Sequence, residues 1–348
     1  MARPISAVDL FCGAGGLTHG FQLEGINVRA GVDSDPVCEY PFEHNNNAVF
    51  LEIDAHDITA KDLLPFFLEG ECKLLAGCAP CQPFSTYSQG HRNDDDEEWM
   101  LLYEFGRLVK GIRPQVVTME NVTKLVKHPV FADFIRMLKK SGYLVTHYEV
   151  ECAHYGVPQN RERLVLFASM YGEIEIEKPS HDESNFVTVR DTIGGLKRIA
   201  AGEVSKSDPL HRASNLSEIN MKRIQASRPG GTWRDWDKDL LTKCHKKKSG
   251  KTYPSVYGRM EWDKPAPTIT TQCHGYGNGR FGHPEQDRAI SLREAALIQT
   301  FPENYSFTPS EGEVHFSTIG RLIGNAVPVR LARMIARSIL SHVEKYDA

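Results

Sequence analysis

The chain lacks a long hydrophobic run. Its 348 residues contain no stretch of about 18 consecutive apolar residues, the length that a membrane-spanning helix needs. The amino terminus, Met-Ala-Arg-Pro-Ile, enters a strand-like pattern without the apolar region of a signal peptide. Hydrophobic residues make up 41% of the chain and charged residues 25%, which is usual for a soluble globular protein. We therefore expect a cytoplasmic protein that does not associate with membranes.

Cysteine is scattered rather than concentrated. Eight cysteines in a chain of this length do not form the dense framework of a small secreted domain, so reduced thiols are expected. One Cys-x-x-Cys, from Cys78 to Cys81, suggests a redox or zinc site, but no second ligand pair with zinc-like spacing accompanies it. The adjacent Cys-His pairs at 244–245 and 273–274 lack that spacing too. We expect no metal, with a redox or metal role for Cys78 and Cys81 as the alternative.

The chain also lacks a strong overall charge. A formal net charge of −4 argues against a protein that binds polyanions with its entire surface. Residues 221–264, however, contain twelve Lys or Arg against five acids, a local charge of +7 that leaves −11 for the remainder. Tryptophan and tyrosine are interleaved with these cations. The segment is typical of a nucleic-acid-binding face, and a solvated charged loop is the alternative.

Short apolar runs and amphipathic stretches alternate over the first 170 residues, which predicts a doubly wound α/β sheet. The predicted strands are 5–11, 28–32, 73–77, 115–119, 143–150 and 164–168, and the predicted helices are 17–23, 62–68, 99–112 and 130–140. From about 170 to 286 the pattern gives way to Gly, Pro, Ser and Lys, with strand-like pieces only at 186–189 and 268–271. Helical periodicity returns at 291–299 and 329–343, so we expect the chain to rejoin the first domain at its end.

Chemically useful residues follow three of these strands. A glycine turn, residues 11–16, follows the first, Cys81 follows the strand at 73–77, and Glu120 follows the strand at 115–119. Because parallel strands of an open α/β sheet bind ligands at their carboxyl ends, we expect these three loops to lie together.

The glycine turn is suited to a nucleotide-like ligand, since backbone amides and the positive end of the following helix can approach it. Asp33, at the end of the second predicted strand, is placed to bind ribose hydroxyls. A full Gly-x-Gly-x-x-Gly pattern is absent because residue 18 is Thr, which disfavours NAD and leaves other adenosine cofactors open. A purely structural strand-to-helix turn is the alternative.

Cys81 follows Pro80, and a thiolate there would be a nucleophile. A cysteine alone is more often a buried apolar residue, so the hypothesis depends on its companions. Glu120 supplies a carboxyl acid, and Arg161 and Arg163 supply two cations. Together these groups suit attack on an electron-poor ring with protonation of its nitrogen.

The sequence motifs of this chain resemble those of the C5-cytosine DNA methyltransferases of the bacterial restriction-modification type. They follow the family's order and extend over nearly the whole chain. Phe11-x-Gly13-x-Gly15 resembles the family's S-adenosylmethionine loop, Pro80-Cys81-Gln82 its catalytic loop and Glu120-Asn121-Val122 its acid motif. Gln159-x-Arg161-x-Arg163 resembles the substrate-holding motif, Arg288 with Leu292-Arg293-Glu294 the motif after target recognition, and Gly324-Asn325-Ala326-Val327 the terminal cofactor motif.

The resemblance implies that Cys81 attacks C6 of a flipped cytosine while Glu120 contacts N3 and the exocyclic amine, and that Arg161 and Arg163 hold the ring and the catalytic loop. C5 then takes the methyl group of S-adenosylmethionine, and loss of its proton and of the thiolate releases 5-methylcytosine. The implied cofactor contacts are Phe11, Gly13, Gly15, Gly16, Leu17, Asp33, Asp57, Ile58, Pro80, Leu101, Asn325 and Ala326. The implied substrate or DNA contacts are Gln82, Ser85, Asn121, Val122, Gln159, Lys246, Lys247 and Lys248.

Two positions depart from the family pattern. The family's ribose-binding acid is usually Glu, and Asp33 is one methylene shorter, which implies longer or water-bridged hydrogen bonds. Ala55 and His56 precede Asp57 where a glycine is common, which leaves the adenine contact at Asp57 less secure than the others.

The resemblance also implies an organisation and partners. We expect a Rossmann-like, mostly parallel catalytic and cofactor domain at 1–171, a loop-rich target recognition domain at 172–286, and a segment at 287–348 that completes the catalytic domain. The expected partner is double-stranded DNA, bound by a monomer of bacterial or phage origin that associates with the nucleoid while it acts. A cognate restriction endonuclease is a candidate partner.

Three other functions are alternatives for this sequence. An RNA (tRNA) cytosine-5 methyltransferase would share the core, but the Cys-Phe-Thr motif of that branch is absent. A catalytically silent DNA-binding member is disfavoured by intact Cys81, Glu120, Arg161 and Arg163. A NAD-dependent oxidoreductase would leave the basic, aromatic segment without a role.

Overall fold

A computed structural model describes residues 3–80, 97–247, 250, 252–309 and 312–346. Cys81, Gln82, Ser85 and Lys248 lie outside these ranges. The strands are β1 Ile5–Leu10, β2 Asn27–Asp33, β3 Val49–Glu52, β4 Cys72–Gly77, β5 Val116–Asn121, β6 Leu144–Glu151, β7 Gln159–Asn160, β8 Glu162–Ser169 and β9 Ala266–Pro267. The helices are α1 Gly16–Leu23, α2 Glu39–Asn45, α3 Ala60–Leu63, α4 Glu97–Ile112, α5 Pro129–Lys140, α6 Val189–Ile193, α7 Glu218–Gln225, α8 Leu292–Ile298, α9 Phe316–Asn325 and α10 Val329–Tyr346.

Seven strands form one sheet in the order β3-β2-β1-β4-β5-β8-β6. The pairs β1/β2, β1/β4, β2/β3 and β4/β5 are parallel, whereas β8 runs antiparallel to both β5 and β6. The predicted doubly wound, mostly parallel α/β fold is confirmed. The chain moves outward from β1 to β3 on one side and then from β4 to β5 on the other. The point where the order reverses lies between β1 and β4, which is where such sheets bind ligands.

By its contacts the chain divides into two compact units. The first unit comprises residues 1–155, 162–179 and 327–348, and the second comprises 156–161 and 180–326. Residues 287–326, which the sequence placed in the segment completing the catalytic domain, therefore group with the second unit. The functional roles predicted for 1–171, 172–286 and 287–348 stay predictions, because compactness does not reveal what each part binds.

The core of the first unit lies between the sheet and its covering helices. Every residue of β1 and of β5 is buried, as expected for central strands covered on both faces. On the face covered by α4 and α5, Phe105 and Phe134 pack with their ring centroids 5.5 Å apart, next to Leu75 and Val117. The large apolar faces of these helices fix the strands whose ends carry the candidate site.

Helices α1 and α10 of the first unit pack very closely. A Cβ atom added to Gly20 of α1 would lie 2.4 Å from Cβ of Ala332 and 2.7 Å from the carbonyl oxygen of Val329. Only glycine allows this approach, because real Cβ atoms do not come so close. The last long helix therefore supports the helix that begins at the glycine turn.

The second unit contains α6 to α9 and a two-stranded parallel sheet of β7 and β9. Its aromatic cluster consists of Trp233, Trp236, His245 and Tyr257. The His245 ring stacks on Trp233 with centroids 4.2 Å apart and planes 8° apart, and it meets Tyr257 edge-on at 5.8 Å. The Trp233 indole also donates a 3.0 Å hydrogen bond to the Tyr253 carbonyl oxygen. These contacts hold the basic segment that follows His245.

Some local predictions differ from the structure. Strand β3 and helix α2 were not predicted, since both are short and carry weak periodicity. The helix predicted at 62–68 is the short α3 followed by a 3-10 turn, and 186–189 and 268–271 are not strands. Within the described ranges, no helix is both long and apolar enough to cross a membrane.

Candidate active site

The turn between β1 and α1 takes conformations that favour glycine. Gly13 and Gly15 have φ angles of +52° and +85°, in the left-handed region that residues with a Cβ rarely adopt. A Cβ at Gly13 would meet no atom within 4 Å, so the glycine serves the backbone geometry and the space beside it is open. Helix α1 begins at Gly16 without a side-chain cap, which leaves its first amides available to a ligand.

Asp33, at the end of β2, anchors this turn. Its Oδ2 accepts a 2.9 Å hydrogen bond from the backbone N–H of Gly13, and its Oδ1 accepts one of 3.0 Å from Asp35. The shorter side chain predicted to bind ribose thus has a second task, which is to fix the glycine turn.

The loop after β3 presents Asp57 and Ile58. Ile58 is buried and Asp57 is exposed. From α4, Arg107 donates hydrogen bonds of 2.9 and 2.8 Å to the carbonyl oxygens of Ala55 and Ile58. His56 is exposed and its ring lies 2.7 Å from an oxygen of Asp54. Leu101, also on α4, is half-buried.

Glu120 lies near the end of β5, and its side chain is 8% exposed. Nε of Arg163 on β8 lies 2.9 Å from its Oε1. The Cys78 thiol, just after β4, hydrogen-bonds to Glu120, and burial followed by the Glu120 and Asp9 charges holds the pKa of that thiol well above its ordinary value. Cys78 is therefore a neutral thiol beside the acid, unlike an activated nucleophile.

Asn121 connects β5 to the segment that precedes Cys81. Its side-chain amide donates a 2.9 Å hydrogen bond to the carbonyl oxygen of Ala79, while its own oxygen accepts 2.8 Å from the backbone N–H of Val122. The backbone N–H of Cys78 in turn bonds to the Leu10 carbonyl oxygen at the end of β1. Pro80 is half-buried at the end of this tethered segment.

In the second unit, Arg161 is buried among backbone carbonyl oxygens. Its guanidinium donates to Ile269 at 3.0 Å, to Gly324 at 3.4 Å and to Ala326 at 3.5 Å. Gln159 is fully buried and donates to Ile298 at 3.0 Å. Both side chains therefore form hydrogen bonds to backbone carbonyl oxygens inside the second unit.

The other predicted residues of the second unit are open to solvent. Asn325 ends α9 and is exposed, and Ala326 beyond it is half-buried. Lys246 and Lys247 are exposed and have no ion pair with a described residue.

One functional candidate, Asp9, was missed from the sequence. It lies in the middle of β1 and is 1% exposed. Burial, followed by the nearby charge of Asp33, raises the pKa of this carboxyl to about 7, although a hydrogen bond from Thr18 opposes that rise. The sequence feature that could have identified Asp9 is an acid within the otherwise apolar run Ala-Val-Asp-Leu of a predicted strand.

Known proteins resemble this chain over almost its full length. The family model for C-5 cytosine-specific DNA methylases matches residues 5–341. The type II methylase M.HgiDII of Herpetosiphon aurantiacus is 53% identical over 342 residues, which cover 97% of this chain and 96% of that protein. The type II methyltransferase M.PspPI of Psychrobacter sp. (strain TA137) is 32% identical, over 97% of this chain and 80% of that protein.

A solved structure resembles the chain as well. A prophage-encoded protein of E. coli, assigned as a DNA modification methyltransferase, has a TM-score of 0.73 at 20% identity and covers 97% of this chain and 99% of its own. At that identity the likeness shows the fold alone.

The architecture is thus that of the S-adenosylmethionine-dependent DNA methyltransferases. Since the family model and the relatives extend over almost the full length, the chain belongs to the C-5 cytosine-specific DNA methylases and is a DNA cytosine-5 methyltransferase. The family, the fold and the reaction predicted from the sequence are confirmed, and none of the alternatives is favoured.

Proposed function

We propose that the first unit binds S-adenosylmethionine at the carboxyl ends of β1 and β2 and uses Cys81, Glu120 and Arg163 to methylate C5 of a cytosine flipped out of duplex DNA. The observation that carries this proposal is the position of Glu120. It is a buried acid, paired with Arg163, beside the tethered residues that lead to Cys81.

The residues around the glycine turn fit an adenosine cofactor. The space beside Gly13 is open, and the first turn of α1, from Gly16 and Leu17, offers uncapped amides. Asp33 supplies a carboxylate at the glycine turn for the ribose hydroxyls, and Asp57 with Ile58 provides a carboxylate and an apolar surface. Phe11, Gly15, Pro80 and Leu101 complete the proposed cofactor contacts of the first unit. Asn325 and Ala326 stay predictions from the sequence. When bound, S-adenosylmethionine supplies the methyl group.

The chemistry of the base falls to the chain's own side chains. The Cys81 thiolate forms a bond to C6, and Glu120 holds a proton at N3 so that the charge developing in the ring is neutralised. Arg163 fixes the Glu120 carboxyl. After C5 has been methylated, loss of the C5 proton restores the double bond and expels the thiolate. Asn121 positions the segment before Cys81 through its hydrogen bond to Ala79. The proposed neighbours of the substrate are Val122, Gln82 and Ser85.

Arg161 and Gln159 have a different task in this proposal. The guanidinium of Arg161 is 3% exposed and donates to three carbonyl oxygens of the second unit. We assign both residues to holding the backbone around Ile269 and Gly324 in place. Of the two arginines in the motif, only Arg163 would then act in the substrate site.

DNA binding is proposed for residues 172–286. Lys246 and Lys247 stand exposed beside the aromatic cluster, which fixes their backbone through His245. Lys248 is included from the sequence. A type II relative at 53% identity supports a restriction-modification role and therefore a cognate endonuclease, and action as a monomer at the nucleoid of a bacterial cytoplasm is part of the same proposal. No metal is proposed.

Bisulfite sequencing of DNA from cells that express the protein tests the proposal most directly. The expected result is complete protection of one cytosine within a single short sequence, which vanishes with Cys81→Ser. Methylation that persists in Cys81→Ser would refute the assignment of the nucleophile.

A further inference from the structure

Asp9 is a buried ionisable residue that has no role in the proposed mechanism. Asp9 lies on the central strand β1, two residues before Phe11, and its Oδ2 accepts a 2.7 Å hydrogen bond from the Thr18 hydroxyl on α1. Its Oδ1 is buried and has no hydrogen-bond partner among the described residues. An unsatisfied buried carboxyl oxygen is costly, so its retention calls for a reason.

The groups that face Asp9 do not neutralise it. Thr18 is uncharged, and Asp33 at the end of β2 is a second acid whose charge disfavours ionisation of Asp9. On the β4 side, the Cys78 thiol is influenced by both Asp9 and Glu120, and the Cys12 thiol is influenced by Asp9 and Asp33. Among the described residues, no cation is paired with Asp9. Among the residues that the structure describes, those between the glycine turn and Pro80 therefore place negative charge around Asp9 and supply no counter-charge to it.

The proposed reaction involves one charge change in its cofactor. S-adenosylmethionine carries a sulfonium cation, and its product, S-adenosylhomocysteine, carries a neutral thioether in the same place. All other groups of the two molecules are alike. A carboxylate in a water-poor site distinguishes a cation from a neutral group strongly, because the low dielectric weakens screening.

We propose that Asp9 selects the charged reactant over the neutral product, so that its carboxylate strengthens binding of S-adenosylmethionine and does not strengthen binding of S-adenosylhomocysteine. This inference rests on the proposed cofactor site. It makes Asp9 a residue that promotes product release, and Thr18 the residue that holds its carboxyl in place.

A pH dependence follows. With a pKa of about 7 in the free protein, Asp9 is mostly protonated at pH 6 and mostly ionised at pH 8. A cation bound nearby lowers this pKa, so its binding strengthens as the pH rises through 7 and releases protons. Binding of the neutral product lacks this dependence.

Calorimetric titration of the DNA-free enzyme with three ligands tests the inference. These are S-adenosylmethionine, S-adenosylhomocysteine and sinefungin, which carries an ammonium group in place of the sulfonium. At pH 8, Asp9→Asn should weaken the binding of S-adenosylmethionine and of sinefungin by about tenfold, which is within the usual range for coupling between two sites. The affinity for S-adenosylhomocysteine should stay nearly unchanged. Asp57→Asn is the matched control, because it should weaken all three ligands equally through their common adenine.

The outcomes separate the two proposals. Failure of the wild-type enzyme to bind any of the ligands would remove the proposed cofactor site itself. If the ligands bind but Asp9→Asn weakens all three to the same extent, Asp9 acts on a shared group or on folding, and the charge selection is wrong. Proton release measured in buffers of different ionisation enthalpy gives a second readout. It should accompany the two cationic ligands in the wild type and disappear in Asp9→Asn.

Discussion

Nε of Arg163 lies 2.9 Å from Oε1 of Glu120, yet that oxygen has no hydrogen-bond donor among the described residues, because the N–H is not directed at it. The two side chains form an ion pair that leaves Oε1 able to bind a ring nitrogen or an amine. Glu120 is therefore fixed in place without being saturated, as an acid that must exchange a proton with a substrate requires.

Replacement of Glu120 by Gln keeps the shape of the side chain and removes its acidic proton. We expect the single-turnover rate of methylation to fall about a hundredfold or more, since general acid assistance contributes on that scale. Cofactor affinity, measured by titration, should change little. A parallel loss in both quantities would place Glu120 in the cofactor site instead.

The adduct with 5-fluorocytosine identifies the nucleophile. A target duplex that carries this base has no C5 proton to lose, so the thioether at C6 should persist after methyl transfer and survive denaturation. Cys81→Ser should abolish it, because a serine hydroxyl is far less ionised than a thiol. Cys78→Ser is the control and should still form the adduct, since Cys78 is held neutral beside Glu120. An adduct mapped to Cys78 would overturn the mechanism.

The two arginines of one motif should respond differently to the same change. Arg163→Lys keeps the charge and loses the guanidinium next to Glu120, so the methylation rate should fall while the melting temperature stays close to that of the wild type. Arg161→Lys should leave buried carbonyl oxygens unsatisfied and lower the free energy of unfolding by about 2 kcal/mol.

The effect of Arg161→Lys on the methylation rate per folded molecule should be small. Arg259→Lys is the matched control for Arg161→Lys, because Arg259 is also buried and donates to the carbonyl oxygens of Ile224 and Ser227. If the two variants are equally stable but Arg161→Lys methylates DNA ten times more slowly than Arg259→Lys, Arg161 does act on the substrate.

The exposed lysines should contribute to the salt dependence of DNA binding. If Lys246 and Lys247 both contact phosphates, the double Gln variant should reduce the slope of log K against log salt by about 1.8, from roughly 0.9 per contact. Lys139→Gln with Lys140→Gln removes the same charge from exposed positions outside residues 172–286 and should leave the slope unchanged. Equal slopes in the two variants would make Lys246 and Lys247 part of a solvated loop. The methylated sequence should stay the same in both.

The close packing of α1 on α10 predicts a strong effect of one methyl group. Gly20→Ala forces a Cβ into contact with Ala332 and should lower the free energy of unfolding by about 1–3 kcal/mol, as overpacking usually does. Gly195→Ala should be nearly neutral, because a Cβ there would meet nothing within 4 Å. Chemical denaturation of both variants checks the difference, and equal stabilities would refute the proposed role of Gly20.

The sequence predicts well what depends on local pattern. The glycine turn and Glu120 could be placed at strand ends because each comes at the end of a strongly apolar strand, and the strand order brings those ends together. The position of Cys81 stays a prediction. The task of Arg161 could not be found in this way, since its acceptors Ile269 and Gly324 lie 108 and 163 residues away in the chain. The burial of Asp9 has the same cause, because it depends on neighbours from α1, β2 and β4. The short strand β3 carried too little pattern to be recognised.

The contact of Gly20 with Ala332 also has a consequence for the order of folding. The first unit is interrupted by residues 180–326, and its last helix follows them. During synthesis the glycine turn therefore emerges before the second unit, while α10, which supports the helix after that turn, emerges after it. Since domains fold as they leave the ribosome, the second unit can become compact before the first is complete. The nascent chain should gain protection from proteolysis in its second unit before it can bind the cofactor tightly.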